Sequence, residues 1–181
     1  MNMKLSFITI RFLSAVALTG LAGSGCGYES NDVSVGGYQW KSIYRTDVHT
    51  VCVPIFETKD FHRGVEFAVS SALVHQIEAA TPYKVVARDH ADTILEGEIV
   101  SVRTTPLSLS QQSDVPQEEL ASVVINFTWK DLRSGKVLVE RKNFGQSAAY
   151  YPTLAEGQFV GTQDAAEKLA AEVVHTMEAA W

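Results

Sequence analysis

Residues 120–130 alternate strictly: Val123, Ile125, Phe127 and Trp129 fall on one side, Val124, Asn126, Thr128 and Lys130 on the other. Successive side chains of a strand point to opposite faces, so this run fits only a sheet with one buried face. Arg133-Ser134-Gly135-Lys136 follows with the residue types that close a hairpin, and residues 137–144 supply the returning strand. A hairpin this one-sided needs a second layer to cover it.

Two segments have the period of such a layer. Val65, Val69, Ala72, Leu73, Gln76 and Ile77 recur at three and four residues, which predicts a helix over residues 64–79. It stops before Thr81-Pro82, because a residue preceding proline avoids the helical region. Ala166, Leu169, Ala170, Val173, Met177 and Ala180 form the stripe of a second helix over residues 162–180. Asp164 and Lys168 make a favourable pair on it, four residues apart with the acid first.

The remaining elements are strands. Val51, Val53 and Ile55 alternate within residues 48–56, where Pro54 lacks a ladder donor and so ends the strand or marks an edge. Residues 83–87 predict a short strand. In residues 91–103, Leu95 and Ile99 share a face around Gly97 while Glu96 and Glu98 point the other way. The polar residues 104–119, with Pro106 and Pro116, predict a long loop. The order predicts an α+β fold: a two-layer sandwich with two helices packed on one face of a mixed sheet of about four strands.

The start of the chain is of another kind. Lys4 and Arg11 precede an apolar run over residues 12–22, and Gly23-Ser24-Gly25 leads into Cys26-Gly27. A basic end, an apolar stretch too short to span a bilayer and a small-residue exit predict a secretory signal. Cleavage before Cys26 would leave that sulfur as the site of lipid attachment, although Gly23 stands where lipoprotein signals usually have Leu. The other readings are ordinary cleavage, leaving Cys26 free or paired with Cys52, and a signal that stays uncleaved as an anchor. The division is a signal peptide at 1–25, a lipidated tether at 26–47 and the folded domain at 48–181. Gly27, not Asp, follows the cysteine, so nothing argues for retention at the inner membrane, and the expected location is the periplasmic side of the outer membrane. The tether carries Tyr28, Tyr38, Trp40 and Tyr44, which either pack back on the domain or touch a partner or membrane interface.

A net charge of −6 argues against nucleic acid, which needs a basic face. Two cysteines provide neither a disulfide framework nor zinc spacing. His49, His62, His75, His90 and His175 follow no ligand spacing, and no phosphate loop or nucleophile elbow occurs. Arg88-Asp89-His90-Ala91-Asp92 offers an acid and a base but reads as a polar turn between strands. The expectation is a protein that is not an enzyme and needs no cofactor or metal. Arg133, Lys136, Arg141 and Lys142 cluster around the hairpin of this acidic chain. They are the candidate contacts for the phosphates of an anionic lipid, Arg by bidentate bonds and Lys as a point charge. The alternative is a set of solvated charges that blunt an edge strand.

Several stretches together resemble the LPS-assembly lipoprotein family (LptE-like). These are Cys26-Gly27-Tyr28, Ala91-Asp92-Thr93-Ile94-Leu95-Glu96-Gly97-Glu98-Ile99, Phe127-Thr128-Trp129-Lys130-Asp131 with Gly135-Lys136-Val137-Leu138, and the Ala-rich terminal helix. The resemblance implies two helices on a four-stranded sheet and a non-enzymatic role. It implies an outer-membrane lipoprotein that plugs a large LptD-like β-barrel, supports its assembly and binds lipopolysaccharide or another anionic glycolipid. Of the family's chemistry only Cys26 transfers residue by residue. Val51-Cys52-Val53-Pro54-Ile55-Phe56-Glu57 resembles a second group, periplasmic lipoproteins that regulate envelope enzymes or build secretion pores. It sets the alternative: a lipoprotein regulating or assembling another envelope complex, penicillin-binding-protein activator-like or secretion-pore-like.

Overall fold

The computed structural model describes residues 34–35, 38–39, 42–59, 62–110 and 115–178. Cys26, the signal, Tyr28 and Trp40 lie outside the described residues. The chain divides into two units, residues 1–41 and 42–181. The first contains one described feature, an antiparallel pair of β1 (Ser34–Val35) and β2 (Tyr38–Gln39).

The second unit runs β3 (Thr50–Cys52), β4 (Glu57–Thr58), α1 (Val65–Ala80), β5 (Lys84–Val85), β6 (Thr93–Leu109), β7 (Pro116–Asp131), β8 (Val137–Tyr150) and α2 (Gln158–Thr176). Six strands form one mixed sheet in the order β5-β3-β6-β7-β8, with β4 beside β6 beyond β3. β3 and β4 run parallel to β6, and β5 parallel to β3. β6, β7 and β8 form an antiparallel meander.

Both helices lie on the sheet face that the alternation of β7 selects. Val123, Ile125, Phe127 and Trp129 are buried there with Leu95 and Ile99 of β6, against Val69, Leu73 and Ile77 of α1 and Ala166, Leu169 and Val173 of α2. Burying each such large side chain stabilises the fold by about 1.5–3 kcal/mol. Glycine is required where the layers touch most closely. A Cβ at Gly97 would collide with the Phe56 ring and the Asn126 carbonyl, and one at Gly161 with the Tyr150 ring.

The α+β class and the two helices are as the sequence predicts, but three details differ. The sheet has six strands, not about four: the short β5 joins it beside β3, and the segment around Pro54 contributes two strands, β3 and β4, because the ladder to β6 is interrupted there and resumes after it. Between the two pieces, the Phe56 N–H donates to Ser70 Oγ of α1 at 3.0 Å and its ring enters the core. Within the stretch expected to be a long loop, residues 104–109 and 116–119 are strand: β6 and β7 stay paired out to Leu109 and Pro116. Their polarity reflects a stretch of ladder that the helices do not bury, with Leu107, Leu109 and Val115 exposed. Finally, α2 starts at Gln158, because the Tyr150 ring fills the space beside Gly161 and the helix continues through that glycine.

At the other end of the sheet, Asp92 joins three elements. One carboxylate oxygen accepts the N–H groups of His49 and Thr50 at 3.0 and 3.1 Å, and the other meets the Arg133 guanidinium at 2.6 Å. Leu132 N–H donates to the Asp92 carbonyl at 2.9 Å. Nearby, Tyr44 packs edge-on against Tyr83 with ring centres 5.8 Å apart, and Tyr83 borders Trp129 at 6.0 Å. The buried Tyr83 hydroxyl accepts the Arg45 N–H at 2.9 Å. Tyr44 therefore packs back on the folded unit.

Candidate functional site

The sheet face turned away from the helices carries the polar half of each alternating strand. A polar relay crosses four segments on this face. Lys59 Nζ lies 2.5 Å from Glu98 of β6, and Asn126 Nδ2 of β7 donates to the same carboxylate at 2.9 Å. Asn126 Oδ1 then accepts the N–H of Asn143 on β8 at 2.8 Å. The bond from Lys59, and then that from Asn126, hold the Glu98 carboxyl below its ordinary pKa.

Asn143 sits in a bulge. Ile125 pairs with Phe144 and Phe127 with Arg141, so Asn126 alone faces both Lys142 and Asn143. Asn143 has φ 53°, in the left-handed region that Asn tolerates better than most residues. A bulge bends its strand and changes where side chains point. Here three consecutive residues, Glu140, Arg141 and Lys142, border one open groove of about 520 Å³. Arg88, Glu96, Glu98 and Thr128 complete much of its wall, with Pro54 and Ile55 at one side.

The groove divides the four basic residues expected from sequence. Arg141 and Lys142 border it, whereas Arg133 is held by Asp92 at the hairpin turn and Lys136 is exposed beside it. Arg88, in a stretch whose residue types predict a polar turn, joins the site because β5, β3 and β6 pair in parallel. No local pattern announces that juxtaposition. The lining is zwitterionic rather than basic, with Glu57, Glu96, Glu98 and Glu140 beside Arg88, Arg141 and Lys142. Lys59 neutralises Glu98, and Lys142 lies 3.4 Å from Glu140. Such a wall offers both cationic donors and carboxylate acceptors for charge-assisted hydrogen bonds.

Cys52 is a buried free thiol, and burial pushes its pKa up, which suits a core side chain and not a nucleophile. Among the described residues no helix is long and apolar enough to cross a membrane, which says nothing about β-barrels. Cys26, the expected lipid site, lies outside the described residues.

The sequence pattern of the lipopolysaccharide-assembly family LptE matches residues 48–178, which spans the sheet, both helices and the groove. The chain belongs to that family. Among curated proteins none matches this LptE-family chain in sequence. Its fold is similar to that of hypothetical protein CT253 from Chlamydia trachomatis, at 9% identity and TM-score 0.50, over 71% of this chain and 94% of the other. PelC from Paraburkholderia phytofirmans, solved as a dodecamer, is 15% identical with TM-score 0.48, over 73% and 90%. The rare lipoprotein B from Shewanella oneidensis is 15% identical with TM-score 0.43, over 71% and 93%. At these identities the structural likeness concerns the fold.

Proposed function

We propose that this LptE-family protein is a non-catalytic outer-membrane lipoprotein that plugs and helps assemble an LptD-like β-barrel and handles lipopolysaccharide or a related anionic glycolipid. The family match over residues 48–178 is the observation that supports this reading. Residues 1–25 act as the signal, Cys26 takes the lipid, residues 26–47 tether it, and residues 48–181 form the working domain on the periplasmic side. Two acyl chains or more suffice for firm anchoring, since each buried methylene adds about 0.8 kcal/mol. The groove binds the glycolipid head group, Arg88 and Arg141 meeting its phosphates and the carboxylates its hydroxyls. The Pro54 and Phe56 stretch, which resembles that of envelope regulators, has a sufficient role in separating β3 from β4 and filling the core.

Glycolipid binding tests this assignment. Changing Arg88, Arg141 and Lys142 together to Ala should weaken binding of purified lipopolysaccharide by about tenfold or more, equivalent to ~1.4 kcal/mol. Arg133→Ala should bind as the parent does, because that guanidinium serves Asp92. Undiminished binding by the folded triple variant would remove the groove from the account.

A further inference from the structure

The charges of the groove balance, and half of them have no partner inside the molecule. With Lys59 included, four cations stand beside four carboxylates, so the groove as a whole carries no net charge. Lys59 holds Glu98, and Lys142 lies beside Glu140. Arg88, Arg141, Glu57 and Glu96 form no ion pair among the described residues. A simple phosphate anion meets attraction from the two guanidinium groups and repulsion from the two carboxylates, and so gains little net Coulomb energy here.

The ladder fixes where the free charges lie. Glu96 pairs across β6 and β7 with Thr128, and Thr128 across β7 and β8 with Glu140, so these side chains make one row on the face away from the helices. Glu57, Glu98 and Asn126 make the next row. Burial raises the Cys52 pKa and Arg88 opposes that rise, so Arg88 stands near Cys52, which pairs with Ile94, two residues before Glu96 on the same face. Arg88 and Glu96 therefore border the β3 side of the groove together, with Thr128 between Glu96 and the Glu140–Lys142 pair. A ligand hydroxyl satisfies the hydrogen bonding of an exposed carboxylate such as Glu96 but leaves its charge; an ammonium answers both.

We propose that the groove selects a head group in which a phosphate diester carries a primary ammonium on a short arm, as in phosphoethanolamine. The inference rests on the head-group reading above and names the chemistry that the groove recognises. Arg88 takes the phosphate oxygens in its fork, Glu96 takes the ammonium, and the Thr128 hydroxyl bonds the oxygens between them. A quaternary ammonium has no N–H to donate and is held instead by aromatic faces. Phe127, the aromatic residue of the lining, has its ring in the core, so the groove offers no such cage.

NMR titration of the protein, purified from membranes in mild detergent, tests the chemistry with soluble diesters at fixed ionic strength. Glycerophosphoethanolamine should bind about tenfold more tightly than glycerophosphocholine, which lacks the N–H donors, or glycerophosphoglycerol, which has a hydroxyl in place of the ammonium. Glu96→Gln, at an exposed strand position, should bring the probes to within about twofold of one another, whereas Arg88→Ala should weaken them all. Lipid sources are separated with purified lipopolysaccharide, with and without phosphoethanolamine on its phosphates, and with vesicles of phosphatidylethanolamine. Tighter binding of the modified lipopolysaccharide supports the inference and the glycolipid reading together. Binding of the vesicles and of neither lipopolysaccharide supports the inference and removes the glycolipid reading. Equal binding of the soluble diesters by the parent, or a preference that Glu96→Gln leaves intact, overturns the inference whether or not lipopolysaccharide binds.

Discussion

Replacing Asp92 by Asn keeps the side chain's shape and removes its charge, which isolates what the carboxylate does. The N–H groups of His49 and then Thr50 hold this carboxyl below its ordinary pKa, with Arg133 adding to the effect. A group whose pKa is lower in the folded state contributes stability above its unfolded value, about 3.9, and loses that contribution as pH falls through the folded value. Asp92→Asn should therefore cost about 1–2 kcal/mol at neutral pH and flatten the acid limb of stability. Melting curves between pH 3 and 7 check this; parallel acid limbs for parent and variant would contradict it. The polar turn around Asp92 was legible in the sequence because its residue types specify a turn. The use of Arg88 in the groove was not legible, since it depends on parallel pairing between segments far apart in the chain.

The bulge on β8 does at the level of an element what no single side chain achieves. It puts Asn143 in the left-handed region, lets its N–H complete the relay through Asn126, and brings Glu140, Arg141 and Lys142 to one rim. Asn143→Val should cost about 1–2 kcal/mol, because a β-branched residue resists that backbone conformation. It should also weaken glycolipid binding. Asn143→Gly, free of the Cβ penalty, should preserve stability to within about 0.5 kcal/mol, and thermal denaturation with lipopolysaccharide titration separates the two outcomes. The alternation of β7 and the stripe of α1 are visible in the sequence because a single period governs each. The bulge has no such signature, nor does the outer part of the β6–β7 ladder. There most side chains are exposed or half-buried, so burial imposes no apolar period on residues 104–109 and 116–119 and their polarity resembles that of a loop. Gly161 misled for a related reason: glycine punctuates helices, yet here it makes room for Tyr150.

On the scale of the whole molecule, two faces have separate tasks. The helix layer and the inner face of the sheet provide the core, while the outer face keeps a zwitterionic groove open. Leu107, Leu109 and Val115 on the projecting ladder, with Tyr151, Leu154, Phe159 and Val160 after β8, expose apolar surface toward the end of the sheet away from Asp92. These surfaces suit a protein whose role is to bind and assemble, as proposed from its family. Affinity purification from native membranes, with the tag placed at the carboxyl end and the recovered proteins identified by mass spectrometry, tests this central claim most directly. The account predicts a large outer-membrane β-barrel protein recovered in near-equal amount with a lipid-modified Cys26; recovery of no β-barrel protein would contradict it.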